Sequence, residues 1–166
     1  PAGSIVSEQY RLNLGGEAGT FTDWERTDLS GFTGLSTTVY VDVVYGKKSD
    51  KWDSIGRINL SGAERDGERR RLSFFFYVDR ATGKVTAKHQ MDDGQLYFID
   101  LPFALKEAIP FAIEKTSPGR LSVTTGDAVY EVECDFDVVA VQAVGLVSGR
   151  KARQLWRLSM KPESRW

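Results

Sequence analysis

Four carboxylates recur at every second position late in the chain, at Glu131, Glu133, Asp135 and Asp137. The positions between them are apolar: Tyr130, Val132, Cys134, Phe136 and Val138. A period of two predicts a β-strand with one face in the core and the other lined by acids. Neighbouring acids would lie roughly 6.6 Å apart at the backbone, near the spacing of roughly 5 to 9 Å between paired glycosidase carboxylates. Such a row suits acid–base catalysis or the binding of sugar hydroxyls or a cation. The alternative is a solvated face that stays charged and so avoids pairing with other chains.

The acidic row needs compensation, because like charges on one strand face repel one another. Arginines on other predicted strands are candidates to lie beside it: Arg69, Arg70, Arg71, Arg153 and Arg157. If they do, the charges form a structural ladder and the functional interpretations weaken. A bound calcium ion is another solution, since hard cations take carboxylate oxygens, although the spacing does not match an EF-hand loop. We therefore assign no cofactor and keep calcium as the one alternative.

Aromatic residues supply a second kind of candidate. Trp52 lies in a polar segment, Lys-Ser-Asp-Lys-Trp-Asp, where it suits stacking on the apolar face of a sugar ring. Its alternative is to fold back and close one end of the core. Phe75 and Tyr77 share the outward parity of their strand, so they either line a ligand face or pack under a loop. We select Trp52, Tyr77, Glu131, Glu133 and Asp135 as the ligand-binding residues.

The only histidine and the only cysteine point to no further chemistry. His89 has no partner histidine, which argues against a histidine-based metal site, and we expect an exposed residue at a strand end. Nothing indicates a nucleophile for a histidine-dependent triad. Cys134 takes the apolar parity, and we expect it to be inert core. One cysteine also excludes an internal disulfide.

Composition bounds the class of protein. The 166 residues suit one domain, and 22 basic against 23 acidic residues give a net charge of −1. This balance gives no general attraction to nucleic acid or to an anionic membrane. No apolar run reaches the roughly 18 to 20 residues of a membrane span, and no signal segment is evident. The first residue is Pro1, which fits a processed or trimmed product. The compartment stays open, with a leaning toward a secreted or periplasmic location.

Short alternating runs bounded by turn residues predict an all-β domain over 1–166 with about ten strands. Residues 1–20 are expected to form a loose N-terminal arm with one edge strand, and 21–32 loops that fold back over a sheet. One short helix is allowed near 102–109, capped by Asp100 and stopped by Pro110. Gly126-Asp127, with glycine first, predicts a two-residue type II′ hairpin turn. After Val138 both parities become apolar, which favours a bulge or a crossing between sheets.

From Leu29 onward the order of elements resembles the concanavalin A-like jelly roll of laminin-G modules, legume-type lectins and many glucanases. Segments that carry the resemblance include Thr38–Tyr45, Ser73–Asp79 with Gly83-Lys-Val85, and Arg120-Leu-Ser-Val before the Gly-Asp turn. It implies an antiparallel two-sheet β-sandwich. Jelly-roll glucanases place Glu, Asp and Glu at alternate positions of one strand, and residues 131, 133 and 135 are similar. Here the middle acid is a glutamate and the last an aspartate, which puts catalysis in doubt.

An up-and-down β-barrel resembling lipocalins is the alternative architecture, but the Gly-x-Trp that marks its first strand is missing. Three functions remain open. The first is a non-catalytic carbohydrate-binding module whose partner is an oligosaccharide or polysaccharide. The second is a structural or protein-interaction module, which would form a homo-oligomer. The third is a small glycoside hydrolase that uses Glu131, Glu133 and Asp135.

Overall fold

The computed structural model describes residues 8–13, 20–44, 52–79, 82–104, 107–147 and 152–162. Throughout these ranges the regular structure is β-strand. The strands, numbered in chain order, are β1 (Glu8–Asn13), β2 (Thr20–Arg26), β3 (Phe32–Val44), β4 (Trp52–Arg65), β5 (Glu68–Asp79), β6 (Lys84–Met91), β7 (Leu96–Ala104), β8 (Ala108–Ser117), β9 (Arg120–Thr125), β10 (Ala128–Glu133), β11 (Ala140–Val147) and β12 (Ala152–Pro162). The described part of the chain holds no helix long and apolar enough to cross a membrane.

The strands form two six-stranded antiparallel sheets. Sheet I has the order β1-β12-β3-β8-β9-β10, and sheet II has the order β2-β11-β4-β5-β6-β7. Aromatic rings join the two sheets: Phe111 of sheet I packs edge-on against Phe74 and Phe76 of sheet II, with centroids 5.6 and 5.2 Å away. The predicted β-sandwich is therefore confirmed. The barrel alternative is wrong, because two separate sheets face each other across one core.

The sequence pattern accounts for the strand pairing in sheet II. In β5, the residues of one parity are fully buried: Leu72, Phe74, Phe76 and Val78. The β4–β5 hairpin turns at Asp66 and Gly67, which both have positive φ (53° and 77°), as a type I′ turn requires. In sheet I the predicted turn at Gly126-Asp127 is also present, with Gly126 at φ 58°. Turn chemistry and core parity together set the register of these hairpins.

The predicted helix near 102–109 is wrong. Strand β7 runs through Pro102 to Ala104, and β8 begins at Ala108. Ile99 and Leu101 alternate into the core, which is a strand period. A proline is tolerated here because β7 is an edge strand, where the missing N–H need not remove a ladder hydrogen bond. Capping residues around a short apolar run were mistaken for a helix start.

Two further predictions near the start of the chain were tested. Residues 21–26 are not loops: they belong to β2, an edge strand paired with β11, and Trp24 packs against the core. The expected edge strand of the N-terminal arm is present as β1, paired with β12. The rest of that arm, residues 1–7 and 14–19, lies outside the described residues.

The chain crosses between the sheets at residues 134–139, so the predicted crossing near Val138 is present, and the long apolar run that follows forms β11. Strand β10 is the edge of sheet I, and β11 lies inside sheet II. The connecting segment is held at both ends by backbone hydrogen bonds. Cys134 N donates to Gly119 O (2.9 Å), and Val139 N donates to Ser61 O (2.8 Å).

Candidate functional site

The acidic row has the predicted orientation. Glu131 and Glu133 lie on β10, while Asp135 and Asp137 lie in the crossing segment, and all four are exposed. The residues between them face the core, with Val132 only 4% exposed and Cys134 only 5%. The alternation therefore continues past the end of the hydrogen-bonded strand. Burial raises the pKa of the Cys134 thiol, in agreement with an inert core residue.

Arg70 compensates part of the row. Its Nε lies 2.8 Å from Asp92, and its Nη2 lies 3.1 Å from Asp135. Hydrogen bonds to Asp92 and Asp135 raise the pKa of the Arg70 guanidinium. Lys115 is a looser partner of Asp137, at 3.8 Å. One of the predicted ladder arginines thus lies beside the acids.

Two other arginines that were predicted to lie beside the acidic row are on a distant strand. Arg153 and Arg157 belong to β12, which β3, β8 and β9 separate from β10, so the expectation that they flank the row is wrong. Their side chains lie outside the described residues. Arg120, which the sequence analysis missed, is directly opposite Glu133 in the β9–β10 register. The hairpin turn at Gly126-Asp127 predicts this pairing once residues are counted outward from it.

Three acids of the row line a groove between the open edges of the two sheets. The groove has a volume of about 810 Å³ and is bordered by Glu131, Glu133 and Asp135 together with His89 and Tyr97. His89 is half-buried and stacks on Tyr97 with centroids 5.2 Å apart, so the expected exposed strand end is wrong. Burial lowers the pKa of His89, which is therefore neutral at pH 7. In the described part of the chain, no three His, Cys, Asp or Glu side chains are grouped to hold a metal ion.

A different surface carries Tyr77. It lies on the outer face of sheet II, opposite in parity to the buried Phe76 and Val78. The Nζ of Lys88 lies 4.9 Å from the centroid of Tyr77 and 4.8 Å from that of Phe98. Phe75 lies 6.4 Å from Tyr77, and Phe98 is 68% exposed. We call these four residues the aromatic platform.

A row of polar side chains crosses the same face beside the aromatic platform. The strand registers align Gln142, Asn59, Ser73 and Gln90 on four neighbouring strands, β11, β4, β5 and β6. Asn59 Nδ2 donates to Gln142 Oε1 at 2.9 Å, and Gln142 Nε2 donates to Asp23 at 3.4 Å. We call the four aligned residues the polar row. Its amides and hydroxyl supply both donors and acceptors.

Buried polar atoms on this face lack hydrogen-bond partners. They are Arg57 Nε, Asn59 Oδ1, Arg71 Nε and Thr86 Oγ1. Asn59 is only 2% exposed although its neighbours in β4, Ile58 and Leu60, occupy the core side. Native proteins leave few buried polar groups unpaired, so water or a ligand can complete the bonding of these atoms, as it can for Thr37 and Thr125 of sheet I.

The five residues selected from the sequence do not form one cluster. Glu131, Glu133 and Asp135 line the groove, whereas Tyr77 lies on the outer face of sheet II. Trp52 begins β4 opposite Asp79, and its side chain lies outside the described residues. Phe98, Lys88 and Arg57 were missed. Their outward parity was readable for β4 and β6, but the helix expected after Asp100 obscured the extent of β7.

No protein-family model and no curated protein sequence matches this chain. Solved structures do match. A galectin from Caenorhabditis elegans superposes with a TM-score of 0.50 at 11% identity, over 92% of this chain and 96% of the galectin. An alginate lyase from Pseudomonas aeruginosa gives a TM-score of 0.52 at 16% identity, over 81% of this chain and 64% of the lyase. A fructofuranosidase from Schwanniomyces occidentalis, complexed with fructose, gives 0.59 at 5% identity, over 97% of this chain and 34% of that one.

These identities show the fold alone. The resemblance to concanavalin-like jelly-roll β-sandwiches is confirmed. The chain spans nearly the whole galectin, but less than two thirds of the lyase and about a third of the fructofuranosidase. Function therefore has to be argued from the residues of the site.

Proposed function

We propose that this chain is a non-catalytic carbohydrate-binding β-sandwich whose ligand lies on the outer face of sheet II. The observation that carries the proposal is the pairing of the aromatic platform with the adjacent polar row. Phe98 is 68% exposed, and Lys88 lies between its ring and that of Tyr77. Large exposed apolar side chains beside ordered polar groups are typical of binding surfaces.

The two groups of residues match the two faces of a sugar. The C–H groups of a pyranose ring stack on an aromatic side chain, and its hydroxyls need donors and acceptors in plane with the ring. Phe98 and Tyr77 supply the first, while the partly exposed Gln142 and Gln90 of the polar row supply the second. The side chain of Lys88 already lies between two rings, so it loses little further conformational entropy when the ligand binds to this face.

The comparisons support this proposal only through the kinds of proteins that share the fold. An alginate lyase and a fructofuranosidase complexed with fructose have similar structures. Their names concern carbohydrates, and a saccharide ligand for this chain is consistent with them. Trp52 stays a proposed contact, because its strand neighbour Ser54 is paired with Tyr77 in the β4–β5 register.

The test is binding of oligosaccharides on a glycan array, followed by calorimetry of those that bind. Tyr77→Ala and Phe98→Ala should each weaken binding about tenfold, equivalent to about 1.4 kcal/mol, because each removes a stacking surface. Val129→Ala is the matched control, since Val129 is equally exposed but belongs to β10 of sheet I. Binding that survives both aromatic substitutions, or no binding to any saccharide, would refute the proposal.

The groove between the sheet edges favours a second candidate, glycoside hydrolysis. It brings Glu131, Glu133 and Asp135 to one concave surface of about 810 Å³. Asp135 is already engaged by Arg70, which leaves the two glutamates as the acid and base. Release of reducing sugar by the wild-type chain, lost in Glu131→Gln and Glu133→Gln with folding unchanged, would establish this function. Absence of release from every substrate bound on the array would exclude it.

A further inference from the structure

Two partly buried arginines on the outer face of sheet II, Arg57 and Arg71, each have an Nε atom without a hydrogen-bond partner in the described part of the chain. Arg57 lies on β4 and Arg71 on β5, and both are partly buried. The Nε of each is shielded from solvent and makes no hydrogen bond with any described residue. A buried charged donor without an acceptor is costly, so each Nε needs an acceptor, which water or a ligand can supply.

The register places these two arginines around the polar row. Arg57 is opposite Phe75, Arg71 is opposite Ser61, and the pair Asn59–Ser73 lies between them. Asn59 and Ser73 are only 2% and 1% exposed although they face outward. Burial lowers the pKa of Arg57, and the positive charge of Arg71 lowers it further. The like charges of these two arginines thus disfavour each other on this face.

Among the described residues no ion pair joins an acidic side chain to Arg57 or Arg71. The exposed Glu64 lies opposite Arg69. Asp92 accepts a hydrogen bond from the backbone N–H of Arg71 (2.9 Å), but its other oxygen pairs with Arg70 at 2.8 Å. Asp23 and Glu25 share the outer face but lie on β2, beyond β11 from Arg57. Lys88, one strand beyond Phe75, adds a third positive charge to the face.

On the premise of the proposed function, we infer that the ligand of this face is an acidic saccharide, whose carboxylate lies between Arg57 and Arg71 beside Asn59. The carboxylate accepts from the two unpartnered guanidinium donors, as charge-assisted hydrogen bonds require. The free Oδ1 of Asn59 is an acceptor, so it needs a donor from the ligand, which a sugar hydroxyl provides. An inorganic anion can accept from the arginines but offers no hydroxyl to Asn59, whereas a neutral sugar offers the hydroxyl but no carboxylate.

Uronate oligosaccharides and their carboxyl-reduced forms test this inference as matched pairs. The probes are tetrasaccharides of galacturonate, mannuronate and glucuronate, and the corresponding neutral tetrasaccharides, measured by calorimetry. At least one uronate should bind ten times more tightly than its neutral form. Arg57→Gln and Arg71→Gln should each abolish that preference. Arg69→Gln, which removes a charge from an exposed position of β5, should leave it unchanged.

A second variant separates loss of fold from loss of the site. Arg57→Lys keeps the charge but removes the Nε donor, so it should retain part of the acid preference with an unchanged melting temperature. Equal binding of acid and neutral forms would overturn the acidic specificity and leave the proposed function standing. Binding of neither form, together with no binding of any saccharide on the glycan array, would overturn both the acidic specificity and the proposed function. Sulfate binding as tight as uronate binding, and dependent on Arg57, would show a simple anion site and overturn the saccharide assignment.

Discussion

Replacement of Arg70 tests how far the acidic row depends on compensation. Arg70 joins Asp92 to Asp135 through contacts of 2.8 and 3.1 Å. The three side chains are 46%, 41% and 68% exposed, so solvent screens both pairs. Exposed pairs contribute about 0.2 to 1 kcal/mol each. Arg70→Met should therefore lower the free energy of unfolding at pH 7 by about 1 kcal/mol, or the melting temperature by about 2 to 4 °C.

The effect should depend on pH with a defined sign. Burial raises the pKa of Asp92, but hydrogen bonds from the Arg71 backbone and from Arg70 outweigh it, and the net pKa is lowered. A carboxyl with a lowered pKa in the folded state stabilises the fold above its unfolded pKa of about 3.9. That contribution is lost as the pH falls through the folded value. The difference between wild type and Arg70→Met should therefore shrink below about pH 4.

Urea unfolding followed by tryptophan fluorescence, at intervals from pH 7 to pH 2.5, measures this difference. Arg69→Met is the control, because it removes the same charge from the adjacent exposed position of β5. The guanidinium of Arg70 also lies 5.7 Å from the ring centroid of Phe136, a contact that does not titrate. A difference that stays constant down to pH 2.5 would assign the effect to that ring. Equal stability of both variants at pH 7 would refute compensation altogether.

Three further changes have defined outcomes. Tyr130→Phe removes a hydroxyl that accepts a hydrogen bond from the backbone N–H of Asp100 (3.1 Å) and donates one to its carbonyl oxygen (3.3 Å). We expect the free energy of unfolding to fall by about 1 kcal/mol and hydrogen exchange at the Asp100 amide to accelerate. Unchanged exchange would contradict this prediction. Gly34→Ala would place a methyl group 2.5 Å from the Ile113 carbonyl oxygen. We therefore expect the melting temperature to fall by about 4 °C or more. An unchanged melting temperature would contradict this, because it would mean that β3 and β8 move apart without cost. If two copies of the chain associate through the exposed edge strand β7, light scattering should show a dimer. Phe98→Lys should convert that dimer to a monomer. A monomeric wild-type protein would refute association through β7.

Much of the fold could be predicted because core parity and turn chemistry agree. The core residues of β5, Leu72, Phe74, Phe76 and Val78, occupy every second position, and the glycine of the Gly126-Asp127 turn has the positive φ that its position predicts. The crossing near Val138 could be predicted from the loss of alternation there, but its start at residue 134 could not, because the alternation continues past the end of β10. The prediction of a helix near 102–109 was wrong because a proline and a capping residue around an apolar run are also compatible with an edge strand.

The site was less predictable, because it depends on which strands become neighbours. Glu131 and Glu133 were found from spacing along one strand. The aromatic platform unites residues from β5, β6 and β7, and the arginine pair unites β4 and β5. Alternation assigns each of these residues to a face, but only the pairing register shows that Lys88 separates Tyr77 from Phe98. The prediction that Arg153 lies beside the acidic row was wrong for the same reason, because three strands separate its strand from β10 in sheet I.

The positions of β1 and β2 bear on how this chain is assembled. Each is the outermost strand of its sheet, and each pairs with one of the last two strands: Glu8 with Met160, and Arg26 with Val141. Within this chain, β1 and β2 therefore have no sheet partner until β11 and β12 have been synthesised. Such distant pairings slow folding. Until β11 and β12 are in place, β1 and β2 are unpaired segments whose backbone is open to aggregation or to a chaperone.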